Sequence, residues 1–228
     1  MIRVLQNWQE IGEATRSLQR KGLPTHSSVV KNWDLFGLYK TLTGCNKSEA
    51  ILDLGCGSGE TLKLLYALGF RFIYGIDLQI AWRLRVSQLT RMVREKSVRA
   101  PFHLYKGDIT KTHFPNLSFN YAVCISVVEH GVDLATFFSE VHRLLKPSGK
   151  LFLTTDYWEE SIKTGNSIEA FGLPWKIFSR GEIEEIIKMA QHIGLNLESK
   201  IEVPACSEKT VFWQNTDYTF INLIFTKL

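Results

Sequence analysis

Three acids close three short apolar runs of the 228-residue sequence: Asp53 in Asp53-Leu54-Gly55-Cys56-Gly57-Ser58-Gly59, Asp77 in Gly75-Ile76-Asp77, and Asp108 in Gly107-Asp108-Ile109. Glycines at 55, 57 and 59 let the backbone turn sharply and approach a ligand that a Cβ would exclude. The dinucleotide spacing G-x-G-x-x-G fails here, because Glu60 stands three positions beyond Gly57. An acid at a helix start also repels a pyrophosphate, whereas a ligand carrying an ammonium and a sulfonium tolerates it. A carboxylate at Asp77 can accept hydrogen bonds from both hydroxyls of a ribose lying across the switch point of a sheet. One at Asp108 can receive an adenine amino group.

A second group follows later apolar runs. His130, in Ser126-Val127-Val128-Glu129-His130, is placed to face a substrate, and an imidazole can take a proton from an alcohol near neutral pH. The competing reading is a helix-start residue that bonds only locally. Asp156 and Tyr157 are the next candidate bases. Glu129, His130 and Asp156 form an alternative set for magnesium, but no resident metal is expected. His26, His103, His113, His142 and His192 have no partner pattern, and Cys45, Cys56, Cys124 and Cys206 lack any zinc spacing. The basic run Arg83, Arg85, Arg91, Arg94, Lys96 and Arg99 has no interleaved aromatics to stack bases and reads as a solvated helix face.

The elements that must hold these residues follow from periodicity. Short apolar runs alternate with helical stretches from Ala50 onward, the pattern of βαβ units and a parallel sheet covered on both faces. Strands are expected at 50–54, 70–76, 103–106, 121–126 and 150–155, with helices at 61–68, 80–94 and 134–145 between them. The last helix stops at Lys146-Pro147-Ser148-Gly149. Ahead of them, Val4, Trp8, Ile11, Thr15 and Leu18 share one helix face, ended by Gly22 and Pro24. Val29, Trp33, Phe36 and Lys40 share the face of a second helix that Gly44 closes. Neither helix carries recognisable chemistry, and the pair reads as a packing cap at the sheet edge, with a lid over the active site as the alternative. Residues 157–178, with Gly165, Phe171, Gly172, Pro174 and the tryptophans 158 and 175, have no period and read as an inserted substrate segment. Ser179 and Glu182 form a capping box, and strands at 195–203 and 218–226 end the chain. The domain reading is a helical cap over 1–48 and one α/β domain over 49–228.

At these residues the sequence resembles the class I S-adenosylmethionine-dependent methyltransferases, from about Ala50 to Thr155, including Leu144-Leu145-Lys146-Pro147-Ser148-Gly149-Lys150. The resemblance implies a doubly wound, Rossmann-like, seven-stranded α/β sheet with its last strand antiparallel, and S-adenosylmethionine as cofactor. The donor-binding set it implies is Asp53, Gly55, Cys56, Gly57, Gly59, Asp77, Leu78, Asp108, Ile109 and Ser126. Gly55, Gly57 and Gly59 approach the methionine part, Asp77 the ribose and Asp108 the adenine, while Asp53 anchors the loop or meets the amino group. Cys124-Ile125-Ser126-Val127 stands where nucleobase-amine enzymes carry an Asn/Asp-Pro-Pro-aromatic run, which argues against such substrates. A looser similarity, over Thr155-Asp156-Tyr157-Trp158 and Tyr218-Thr219-Phe220, is to enzymes of surface-polysaccharide and sugar modification. The expected reaction is therefore methyl transfer to an oxygen of a small molecule. The rivals are an RNA or protein methyltransferase and a donor-binding regulator without turnover. A charge of +4 falls short of a dedicated nucleic-acid binder, and no run is long enough to span a bilayer. The protein is expected in the cytoplasm, with neither nucleic acid nor membrane as partner.

Overall fold

The structure, a computed structural model, describes residues 1–94, 100–164, 169–170, 172–197 and 202–228. A short strand β1 (Ile2–Val4) leads into helix α1 (Trp8–Arg20), a 3-10 turn (Val29–Lys31) and helix α2 (Asn32–Leu42). Then β2 (Ala50–Leu54), α3 (Glu60–Ala67), β3 (Phe72–Asp77), α4 (Trp82–Arg94) and β4 (His103–Lys106) alternate, followed by β5 (Phe119–Ile125), α5 (Leu134–Leu144) and β6 (Leu145–Trp158). Small strands β7 (Glu169–Ala170), β8 (Leu173–Pro174) and β9 (Phe178–Ser179) precede α6 (Arg180–His192), β10 (Leu195–Leu197), β11 (Val211–Trp213) and β12 (Thr216–Lys227).

The main sheet runs β1-β12-β6-β5-β2-β3-β4, with β9, β10 and β11 paired at its margins. Strands β2 to β6 are parallel, and β12 closes the sheet antiparallel to β6 from Thr219 to Thr226. This is the doubly wound, mostly parallel sheet expected, but with ten strands: β1, unforeseen, takes a place on the main path, and the strand expected at 195–203 pairs with β12 off it. Its central strands are apolar on both faces, as burial under two helical layers requires: Ile51, Leu52 and Leu54 of β2 are fully buried. One layer packs Leu35, Leu38, Leu65 and Leu84 on the sheet, and the other packs Phe137, Val141, Ile183 and Ile187 on the opposite face.

Several expectations change. Val4 belongs to β1, paired with Ile221, and not to the first helix. That helix starts only after Asn7, whose side chain caps the Glu10 amide at 3.2 Å. Trp8 is exposed, and the buried face is Ile11, Ala14 and Leu18. Helix α2 lies on the sheet, not at its edge: a Cβ on Gly37 would stand 3.4 Å from the Phe152 ring. Segment 1–48 thus shares the sheet and the core of the rest. Strand β6 begins at Leu145, directly after α5, and runs on to Trp158 because residues up to Tyr157 find partners in β12. Of the strand expected at 195–203, Leu195–Leu197 form β10, while 198–201 lie outside the described residues, as do Lys96, Arg99, Gly165 and Phe171. The Ser179–Glu182 capping box is present.

Candidate active site

The candidate residues gather at the carboxyl ends of the parallel strands, where an open α/β sheet leaves its crevice. After β2 the chain turns through Gly55 (φ +84°), Gly57 (φ +46°) and Gly59 (φ +83°), backbone conformations that a side chain disfavours. Two of these glycines are also required by space. A Cβ on Gly55 would lie 2.5 Å from Val127 Cγ2, and one on Gly59 would lie 2.4 Å from Leu84 Cδ1. The turn is tied to β3, since the amides of Gly55 and Cys56 both donate to the Ile76 carbonyl at 2.8 and 3.2 Å.

Asp77 ends β3 beside this turn. One carboxylate oxygen accepts the Gly57 amide at 2.9 Å and the other the Gln79 amide at 3.0 Å, which leaves each oxygen further lone-pair capacity. The Gly107 amide donates to the Asp77 carbonyl at 2.9 Å, so the turn after β4 lies alongside. There Asp108 accepts from the amide and hydroxyl of Thr110, each at 2.8 Å, and Ile109 is buried, whereas Leu78 is half exposed. Asp53 lies beneath the turn, 1% exposed, and its Oδ2 has no hydrogen bond. Burial, then the charges of Asp77 and Glu60, push its carboxyl well above the usual range. Burial raises the neighbouring Cys56 thiol as well, helped by Asp53 and Asp77.

A second cluster stands across Val127 from the glycine turn. Ser126 follows β5 directly with a φ of +52°, uncommon for a residue with a side chain, and its amide donates to the Thr154 carbonyl at 3.0 Å. Its hydroxyl accepts from the ammonium of Lys31, carried in by the 3-10 turn of the N-terminal segment. The Lys31 Nζ also lies 3.9 Å from Asp34 and 3.9 Å from Asp156, and 3.7 Å over the Phe220 ring. Asp156 accepts the indole N–H of Trp175 at 2.8 Å, and Glu129 accepts the Thr155 hydroxyl at 3.0 Å. Burial raises the Asp34 carboxyl to about 7. Burial, with Asp156 adding, raises Glu129 to about 8, and burial likewise raises Asp156. The Tyr218 phenol is raised too, by burial and then by Asp156. One ammonium therefore faces three buried carboxyl groups that hold protons unusually tightly.

The structure brings together most of the residues expected from sequence. Asp53, Gly55, Cys56, Gly57, Gly59, Asp77, Leu78, Asp108 and Ile109 gather around the turn after β2 and the ends of β3 and β4. Ser126 and Asp156 join the second cluster instead. His130 follows Glu129 in the turn after β5, half-buried, and burial followed by Lys31 lowers its imidazole to about 4. Tyr157 does not join them. Successive strand residues face opposite ways, so Tyr157 points into the core toward Glu159, Arg180 and Cys206, fully buried and with its phenol raised by burial. Among the described residues, no group of three His, Cys, Asp or Glu side chains is arranged to hold a metal ion. Of the residues of the magnesium alternative, Asp156 instead has the Lys31 ammonium 3.9 Å away. Lys31 and Asp34 were not foreseen. Their one signal is an acid inside the otherwise apolar run Trp33, Leu35, Leu38 and Leu42, buried as Asp34 is.

Residues 52–153 match the family described as "Methyltransferase domain". Over 107 residues the chain is 30% identical to a ubiquinone biosynthesis O-methyltransferase of Pseudomonas aeruginosa, covering 47% of this chain and 44% of that protein. Over 106 residues it is 26% identical to a sterol 24-C-methyltransferase of Aspergillus fumigatus, covering 46% of this chain and 27% of that one. The chain thus spans less than half the length of these curated relatives. Its fold is similar to that of geranyl diphosphate C-methyltransferase from Streptomyces coelicolor, solved with Mg2+, geranyl diphosphate and S-adenosyl-L-homocysteine. The TM-score is 0.64 at 18% identity, over 91% of this chain and 86% of that one. No helix among the described residues is long and apolar enough to cross a membrane. Residues 52–153, which hold the glycine turn and the acids closing β3 and β4, thus match a methyltransferase domain, and the fold around them is that of solved S-adenosylmethionine-dependent methyltransferases.

Proposed function

We propose that this chain is a cytoplasmic enzyme that moves a methyl group from S-adenosylmethionine to an oxygen of a small-molecule acceptor. The observation that carries the reading is the Asp77 carboxylate set on the Gly57 amide, beside a turn in which Gly55 and Gly59 leave no room for a side chain, and across Val127 from a polar cluster. The residues present fit the donor: its ammonium suits the unpartnered Oδ2 of buried Asp53, its ribose hydroxyls suit Asp77, and its adenine suits Asp108 with Leu78 and Ile109 beside it. When bound, S-adenosylmethionine supplies a methyl carbon on a positively charged sulfur, open to in-line displacement.

The protein's own work is then alignment and proton removal. The Ser126 hydroxyl and Lys31 ammonium offer a polar acceptor two anchors, which suits an oxygen better than a hydrocarbon carbon. Asp156 stands behind Lys31 with its carboxyl raised by burial, and Glu129, raised to about 8, can exchange a proton near neutrality. His130, lowered to about 4, is neutral throughout the physiological range. A sugar or polysaccharide precursor is the acceptor class we favour, on the similarity around Asp156 and Tyr218. The test is release of S-adenosylhomocysteine with panels of sugar nucleotides, phenols, RNA and peptides. Turnover with a hydroxyl compound alone is expected. Turnover confined to RNA or peptide, or donor binding without turnover on any panel, would overturn the proposal.

A further inference from the structure

Helix α4 turns an apolar stripe away from the protein. Trp82, Val86, Leu89 and Val93 recur at i, i+4, i+7 and i+11, which stacks them on one face, and they are 68, 48, 61 and 79% exposed. The opposite face is the one that packs. Leu84 is buried over Gly59, the Gln88 amide donates to the Phe102 carbonyl, and the Arg91 guanidinium lies 4.5 Å over the Tyr66 ring. Arg85 flanks the stripe on one side and Arg83 and Arg94 on the other, all exposed, with Arg83 5.6 Å over the Trp82 ring. The helix, WRLRVSQLTRMVR, contains no acid. Leu78, half exposed just before it, extends the apolar surface toward the donor turn.

We propose that this face of α4 binds the surface of an anionic lipid bilayer. A helix with an aliphatic stripe, a tryptophan at one end and arginines along both borders lies in the interface with its apolar side chains among the acyl chains. Its guanidinium groups then reach the headgroups. A second copy of the chain is a poorer occupant, because a two-fold pairing of this face brings identical arginine rows together with no acid between them. A nucleic acid would meet the arginines but leave Val86, Leu89 and Val93 without a role, since aliphatic side chains give bases no stacking platform. The expectation of no membrane partner rested on the lack of a spanning run, and a helix lying in the headgroup layer needs none.

Flotation of the full chain with vesicles of phosphatidylcholine, with and without phosphatidylglycerol, tests the proposal. Binding is expected to the anionic vesicles, weakening as salt rises, with little to the neutral ones. Val86→Ser with Leu89→Ser, and separately Arg83→Glu with Arg85→Glu, should each lower that binding by roughly tenfold or more. S-adenosylmethionine affinity and the circular dichroism spectrum should stay as in the parent. The arginine pair is fully on the surface and carries the test if the serine pair folds poorly. No binding to anionic vesicles, or binding that the foldable variants leave intact, would overturn the proposal. So would a concentration-dependent dimer that Leu89→Ser dissociates, or capture by polyuridylate that the serine pair leaves unchanged. Donor titration in the same samples keeps a failure here distinct from a failure of the methyltransferase reading.

Discussion

Lys31 is the only cation set against Asp34 and Asp156 among the described ion pairs, and it reaches Ser126 from 95 positions away in the chain. Removing it as Lys31→Met leaves buried carboxyl groups uncompensated, which should cost about 1 to 3 kcal/mol by chemical denaturation at neutral pH, its partial exposure lowering the figure. The acids give the stability a direction in pH. The folded-state values of Asp34, about 7, and Glu129, about 8, lie above those of the unfolded chain, so the folded state binds protons more tightly. Their contribution is complete below the unfolded value near pH 4 and is lost as pH rises toward 8. Denaturation midpoints should therefore fall over that window, and Asp34→Asn should flatten the fall. An unchanged slope would place the titration elsewhere. His130 gives a separate kinetic test. If it is the base, His130→Ala lowers kcat by roughly 10² to 10⁴, and the parent shows no kinetic inflection near the ordinary imidazole value, because its own lies near 4. Asp77 was legible from sequence because a strand end fixes where its carboxylate points. Lys31 and Asp34 were not, because nothing local says which side chains a long-range closure will bring to Ser126.

At the scale of elements, the turn between β2 and α3 was readable because it is local: glycines at 55, 57 and 59 follow directly on an apolar strand. Its tertiary stops, Val127 against Gly55 and Leu84 against Gly59, were not. Gly55→Val meets both a positive φ and a stiff β-branched neighbour, and should abolish measurable donor binding or cost more than about 1 to 3 kcal/mol of stability. Normal affinity with normal stability would mean that the turn has another shape. The segment after Asp156 was misread in part, because the sequence shows no period there, yet pairing with β12 extends β6 through Tyr157. Trp175, expected in the inserted substrate segment, is 3% exposed, bonded to Asp156 and packed edge-on against Trp213 at 4.8 Å. Trp175→Ala should therefore lower stability by about 3 to 5 kcal/mol as well as activity. A raised acceptor KM with unchanged melting would return Trp175 to a substrate-contacting role.

For the whole molecule, the doubly wound sheet was legible because alternating apolar runs and helices leave few other arrangements. The place of the first 48 residues was not, since a three-residue strand carries almost no signal. Strand β1 adds to the edge of β12, α2 covers β6, and Lys31 enters the site, so the segment should not be separable. Deleting 1–48 should give an insoluble or molten product, judged by lost near-ultraviolet dichroism, and a well-folded remainder that still binds donor would contradict this. The central claim, that this crevice binds S-adenosylmethionine through Asp77, is tested most directly by calorimetric titration of S-adenosylmethionine into the parent chain and into Asp77→Ala. Saturable binding is expected in the parent. The variant should bind about ten- to more than a hundredfold more weakly, from the loss of about 1.5 to 3 kcal/mol of charged hydrogen bonds. No binding by a folded parent, or equal affinity in a folded variant, would contradict the account.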